Sequence, residues 1–120
     1  MEFYQTVHTY YINGYTGSAV VTNPNRDPNF VVTQFHVYAA ERNEDAVIFY
    51  VDGKETFRYN NQNLAKEKMQ FPFCDLKFDI ILNCSLGGTL NGQPTWPGEI
   101  HDEDLPAEMW VDWVKVIKCK

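Results

Sequence analysis

Apolar and polar positions along this chain follow a period of two in most segments, the spacing of strands with one buried face. Residues 3–12 are rich in Tyr, Thr and Val, which suit a pleated, half-buried surface. Asn13-Gly14 breaks that run, and residues 18–22 form a short second one. Residues 23–29, Asn-Pro-Asn-Arg-Asp-Pro-Asn, contain no apolar side chain apart from proline and predict a loop. A longer strand is expected over residues 35–41. After polar Asn43-Glu44-Asp45, another follows over Val47-Ile48-Phe49-Tyr50-Val51. Asp52-Gly53 comes next, a pair that tolerates two successive positive φ values, so a tight hairpin should return along residues 55–59.

Residues 60–70 are polar, and Leu64-Ala65-Lys66-Glu67-Lys68-Met69 has room for a helical turn or two, too short to stand alone. Residues 78–86 read as a mostly buried strand ending at Gly87-Gly88. Residues 89–107 form a long loop with three prolines and clustered acids, the kind of segment that often rims a functional site. Residues 109–117 alternate cleanly. Trp110, Asp112, Val114 and Val116 fall on one face, and Met109, Val111, Trp113, Lys115 and Ile117 on the other. About seven short strands joined by turns, without repeats, predict an all-β chain built as an antiparallel β-sandwich.

Composition narrows the possibilities. With 120 residues the chain has room for one domain, residues 1–120, and 44% hydrophobic with 22% charged residues excludes the disordered and fibrous classes. Ten Lys and Arg against sixteen Asp and Glu leave a net charge of −6 with no basic block, so neither nucleic acid nor an anionic membrane is an expected partner. No apolar run is long enough for a membrane helix. Met1-Glu2-Phe3-Tyr4-Gln5 lacks the basic-then-apolar layout of a signal peptide. Cys74, Cys84 and Cys119 are odd in number and lack zinc spacing; Cys74 and Cys84 are expected as small buried apolar side chains.

The motifs of serine hydrolases, phosphate-binding loops and zinc proteases are absent. His8, His36 and His101 are scattered without metal spacing, so no metal site is expected. Glu99-Ile100-His101-Asp102-Glu103-Asp104 invites comparison with a paired-carboxylate glycosidase. Such a pair must be held at a fixed gap by a rigid element. This run lies in a loop between Pro97 and Pro106 and reads better as a solvated acidic loop. Trp96, flanked by Pro94 and Pro97, is either a stiff sugar-stacking platform or a lid folded back on a sheet edge.

Three ordered segments resemble glycoside hydrolase family 16, the laminarinase-like β-glucanases, in its C-terminal half. Phe35-His36-Val37-Tyr38-Ala39-Ala40-Glu41 with Ile48-Phe49-Tyr50-Val51-Asp52-Gly53 is similar to the family's Phe-His-x-Tyr-x-x-Glu-Trp…Phe-Tyr-Val-Asp-Gly. Ile81-Leu82-Asn83-Cys84-Ser85-Leu86-Gly87-Gly88 resembles its Ile-Leu-Asn-x-x-x-Gly-Gly, and Met109-Trp110-Val111-Asp112-Trp113-Val114-Lys115-Val116 its closing Met-x-Val-Asp-Tyr-Val-Arg-Val strand. Thr6-Val7-His8-Thr9 resembles the strand that follows the catalytic one. Arg42 stands where the family usually has Trp, and Leu90 where an aromatic commonly follows Gly-Gly.

The resemblance implies a concanavalin-like jelly roll with a polysaccharide cleft, acting on or binding β-glucan-type glycans outside the cytoplasm, in an extracellular or periplasmic setting. It also implies a retaining mechanism with two Glu residues on a Glu-x-Asp-x-(x)-Glu strand just ahead of the Thr-Val-His segment. Only residues 1–5 precede Thr6 here, so the motif is absent and no catalytic residue is assigned. His8 and Asn83 carry over as substrate-binding residues. Tyr10, two residues from His8 on the same face, and Trp96 join them on geometric grounds. No cofactor is expected. Relatives often carry a structural Ca²⁺ near the closing strand, where Asp112 supplies one carboxylate of the six to eight oxygens such an ion needs. The sandwich is expected to be partial, completed by oligomerisation or by a missing N-terminal half, because a bare apolar sheet face and open edges favour association. The competing readings are a non-catalytic, lectin-like carbohydrate-binding domain and an interaction module.

Overall fold

A computed structural model describes residues 2–9, 11, 19–26, 30–95 and 97–118. The chain divides into two compact units, Met1–Phe78 and Asp79–Lys120. All strand pairing is antiparallel, and among the described residues no helix is long and apolar enough to cross a membrane.

In the first unit β1 (Glu2–Thr9) pairs with β2 (Ala19–Arg26), from Glu2 opposite Arg26 to Thr9 opposite Ala19. The second strand is therefore longer than its apolar stretch, continuing through Asn23-Pro24-Asn25-Arg26 where a loop was expected. Eight residues of β1 supply a template for it. Proline is tolerated on an edge strand, where its missing N–H can lie on the open side. β1 itself alternates: Gln5, Val7 and Thr9 are buried, whereas Tyr4 and His8 are exposed and Thr6 lies between. Of the expected strand over residues 3–12, residues 10 and 12 lie outside the described residues.

β3 (Tyr38–Arg42), β4 (Ala46–Val51) and β5 (Lys54–Asn60) form a three-stranded sheet in that order. The β3–β4 turn is closed by Asn43, whose Oδ1 accepts the N–H groups of Asp45 and Ala46 at 2.9 Å each. An Asx turn of this kind uses a side-chain oxygen where no ladder carbonyl is available. The β4–β5 turn has φ of 51° at Asp52 and 78° at Gly53, as the dipeptide predicts. Central β4 is the core: Ala46, Val47, Ile48 and Val51 are all buried, and three successive buried residues mean that both faces are covered. Between Phe49 and Tyr50 the register shifts. Thr56 falls at this irregularity and donates to the Phe49 carbonyl at 3.2 Å. Gln5 of β1 in turn donates to Thr56 Oγ1 at 2.6 Å, tying the inner face of β1 to β5.

Residues 61–78 fold onto the same sheet without strands. Lys66–Lys68 make one 3₁₀ turn, the whole of the expected helical segment. Tyr59, Phe71, Phe73 and Phe78 form a chain of ring contacts with centroids 5.2 to 6.2 Å apart. Arg42 closes it, with its guanidinium 5.2 Å above Phe78 and its Nη1 donating to the carbonyls of Phe73 at 2.6 Å and Leu76 at 2.9 Å. An Arg in the Trp position thus keeps an aromatic contact while capping two turn carbonyls that an indole, with one N–H, could not both serve. Cys74, expected inside, is exposed, with Sγ 3.3 Å from the Asn43 carbonyl.

The second unit contains a two-residue hairpin inside the expected long loop. β6 (Thr89–Leu90) and β7 (Gln93–Pro94) flank Asn91-Gly92, with φ of 52° and 77°. Gly88 N–H donates to Gly98 O at 2.8 Å, and Thr95 N–H to Gly88 O at 2.7 Å. This packing requires glycine at residue 87, because a Cβ there would overlap the Gly98 carbonyl oxygen. Asp102–Asp104 form a short 3₁₀ turn.

Residues 78–86 and 109–117, both expected as strands, belong to no sheet among the described residues. Their apolar side chains are exposed, Ile81 by 83%, Trp110 by 74% and Val116 by 77%. Cys84 is exposed with them, contrary to its expected burial. The cause is physical: β pattern selects an extended backbone, but a strand is completed only by the donors and acceptors of a neighbour.

Candidate substrate-binding surface

β1 presents the clearest candidate surface. Pairing with β2 holds it straight, the bond from Gln5 to Thr56 holds its inner face down, and alternation sends Tyr4, Thr6 and His8 outward in a row. His8 stands opposite Val20, and its side chain is exposed. An aromatic ring, a hydroxyl and an imidazole spaced along one strand face can stack on a sugar and hydrogen-bond its hydroxyls. Tyr4 and Thr6 were not singled out from sequence. The i, i+2 rule that joined His8 to Tyr10 also points back to them. Tyr10 lies outside the described residues, as does Trp96.

Asn83 is exposed in the second unit, on the unpaired stretch over residues 79–86. His8 belongs to the first unit, so each residue is placed within its own unit. The acidic run 99–104 is exposed at its described side chains. Among the described residues no group of three His, Cys, Asp or Glu side chains is disposed to hold a metal ion. Asp112 is exposed, and the described residues do not fit a calcium site.

A second polar row crosses the three-stranded sheet, and its groups bond to one another. Glu41 accepts from Tyr50 at 3.3 Å and from Asn43 at 3.2 Å, and Arg58 donates two bonds to Glu55 at 2.9 and 2.6 Å. Desolvation first, and then Glu41, push the Tyr50 phenol above its ordinary range, while the bonds from Arg58 hold Glu55 below its own. These contacts brace the sheet. The row on β1 is the candidate for a glycan because it lies on the strand that resembles the neighbour of the family's catalytic strand.

The profile of the family described as glycosyl hydrolases family 16 matches residues 2–115. The chain belongs to glycosyl hydrolase family 16. Among family relatives, glucan endo-1,3-beta-glucosidase A1 of Niallia circulans is 36% identical over 88 residues, 70% of this chain and 12% of that protein. The beta-glucanase of Rhodothermus marinus is 33% identical over 89 residues, 72% of this chain and 29% of that protein. A solved structure from work on endo-acting O-glycanases, which prominent members of the human gut microbiota express to initiate mucin breakdown, is 68% identical. It matches with a TM-score of 0.77, covering 85% of this chain and 42% of that one. The chain thus spans less than half the length of these relatives. Its all-β antiparallel architecture is that of the family 16 jelly roll, as expected. The family's Glu-x-Asp-x-(x)-Glu sequence does not occur in the 120 residues.

Proposed function

We propose that this family 16 chain contributes to a glycan-binding cleft, with Tyr4, Thr6 and His8 of β1 as its sugar-facing row; Tyr10, Asn83 and Trp96 are proposed as substrate-binding residues from the family resemblance and the sequence pattern. The observation that carries this reading is the outward row on the strand that resembles the one beside the family's catalytic strand. Bond cleavage then depends on carboxylates that these 120 residues do not contain. The domain works on polysaccharide outside the cytoplasm, in keeping with its relatives.

The relative at 68% identity favours a mucin-type O-glycan as ligand, whereas the two glucanases at 33–36% favour β-glucan. Pocket chemistry diverges faster than fold, so the more similar protein carries more weight. The exposed apolar stretches over 79–86 and 109–117 are seats for the strands that complete the sandwich, supplied by a second copy or by the remainder of a family 16 domain. Residues 1–120 then act as a single partial domain.

Calorimetric titration with desialylated mucin glycans and with laminarin, alongside a reducing-end assay, tests this reading. Mucin-glycan binding without turnover is expected, weakened about tenfold by His8→Ala, the equivalent of one directed hydrogen bond. Preference for laminarin would return the ligand to the glucans. Turnover by these residues alone would overturn the assignment of a non-cleaving role. Binding without turnover even after the missing strands are restored would support the lectin-like reading. A monodisperse monomer with no exposed apolar surface by dye binding would refute the seats.

A further inference from the structure

His36 sits where three segments of the first unit meet, and both of its ring nitrogens face acceptors. Nδ1 is 2.7 Å from Asp52 Oδ2 in the β4–β5 turn, and Nε2 is 3.0 Å from the Val31 carbonyl. The imidazole, with its side chain only 11% exposed, stacks on buried Phe30 at 4.5 Å. Phe30 in turn meets Phe3 of β1 at 4.7 Å. Asp52 is fixed independently of His36. Its backbone N–H donates to Val37 O and its Oδ1 accepts from Val37 N–H, both at 2.9 Å. The carboxylate thereby continues the β3–β4 ladder one step past Tyr38 and Val51, where the main chain has already turned away.

A neutral imidazole has one donor and one acceptor, so it cannot satisfy two oxygens; the imidazolium can. The carboxylate retains the Nδ1 proton, so the proton that leaves is the one on Nε2. A lone pair is then directed at the Val31 oxygen. That oxygen is also the acceptor of the 31–34 turn, from Gln34 N–H at 2.9 Å. We propose that His36 is a proton-operated latch: doubly protonated, it bridges the 30–36 turn to the β4–β5 turn, and on losing its Nε2 proton it releases Val31 and loosens the contact of that turn with β1. This property lies beyond the glycan reading and does not rest on it.

Among the described residues, the charged group facing His36 is Asp52. A titratable neighbour among the same residues is Tyr38 of β3, edge-on at 6.3 Å. Burial first, and then Asp52, raise the Tyr38 phenol, so it stays neutral while the latch operates. The bond to Asp52, followed by that to Val31, raises His36 above its ordinary 6.5. The N–H of Val37 and then His36 hold Asp52 below its ordinary 3.8. The His36 contribution to stability is therefore complete below pH 6.5 and lost as pH rises through the folded value. The Asp52 contribution is complete above pH 3.8 and lost as pH falls through its folded value. The latch is closed between those limits.

Long-range ¹H–¹⁵N spectroscopy of the intact chain reads both ring nitrogens directly. The expected result is an imidazolium at pH 6, a midpoint higher than that of the same residue in urea, and a neutral form protonated on Nδ1. Protection of the Gln34 amide should fall about fivefold across that titration, roughly the value of one ordinary hydrogen bond. Asp52→Asn, which keeps an oxygen for Val37 but removes the charge, should lower the His36 midpoint. A midpoint equal to that in urea, a neutral ring protonated on Nε2, or unchanged Gln34 protection would each overturn the proposal.

Discussion

Gln70 offers the sharpest test of how the first unit is held together. It is a buried amide, 2% exposed, in a segment with no regular structure. Its Nε2 donates to the Asn60 carbonyl at the end of β5 at 3.0 Å, and its Oε1 accepts from Gln62 N–H at 2.9 Å. Its own carbonyl accepts from the buried Tyr59 hydroxyl at 2.9 Å. One side chain thus satisfies two main-chain groups that the ladder abandons where β5 stops. Gln70→Met keeps the volume and removes both bonds. Each orphaned buried group costs about 1–3 kcal/mol. Water reaches the neighbourhood of exposed Gln62, so the lower part of the range applies and the sum is about 2–4 kcal/mol. With a urea m-value of about 1.5 kcal/mol/M, in the range for small proteins, the midpoint should fall by about 1.3–2.7 M. Far-UV circular dichroism in urea is the assay, because every Trp lies outside this unit.

Gln70→Glu sharpens the test. A protonated carboxyl reproduces the donor and the acceptor, whereas a carboxylate opposes the Asn60 oxygen. The folded-state pKa of the new group must then lie above its unfolded value of about 4.3. Stability should be close to wild type below that value and fall as pH rises through the folded one. A Gln70→Met midpoint within about 0.3 M of wild type, or a Gln70→Glu profile parallel to wild type, would show that this amide does not close the end of the sheet.

Further outcomes follow from the same structure. Ile48→Ala, at a position 4% exposed in central β4, should cost about 2–5 kcal/mol in the same urea assay. Ile81→Ala, at a position exposed in this chain, should cost under about 0.5 kcal/mol here, yet weaken association with completing strands in sedimentation. Gly87→Ala should destabilise the second unit by about 1–3 kcal/mol and strip protection from the Gly88 amide, because its methyl displaces the Gly98 carbonyl. Thr6→Ala should weaken glycan binding less than His8→Ala in titration calorimetry, since the imidazole offers a flat ring and two nitrogens where the hydroxyl offers a single oxygen.

The parts of the fold legible in sequence are those decided within a few residues. Asp52-Gly53 predicts its hairpin because the conformation it adopts depends only on its own φ values. Asn91-Gly92 carries the same signal and turns β6 into β7. The prolines and acids around it made residues 89–107 read as one loop. The extension of β2 through Pro24 could not be read locally, because it depends on β1 lying alongside. The candidate surface divides in the same way. The outward face of His8 follows from alternation, whereas the firmness with which Tyr4, Thr6 and His8 are presented depends on Gln5 reaching Thr56, fifty-one residues away.

Taken alone, the order of residues determined that the chain belongs to the all-β class, where its tight turns fall, and which jelly-roll family it resembles, because backbone preference and side-chain alternation are local properties. The folded structure decided which strands have neighbours, that Cys74 and Cys84 face outward, and that His36 meets two oxygens at once. Hydrogen-bond partners and burial are relations between distant residues, and no stretch of chain contains its own partner. Residues 79–86 and 109–117 have the pattern of strands and have no ladder among the described residues, because pattern supplies a willing edge and only a second edge makes a sheet.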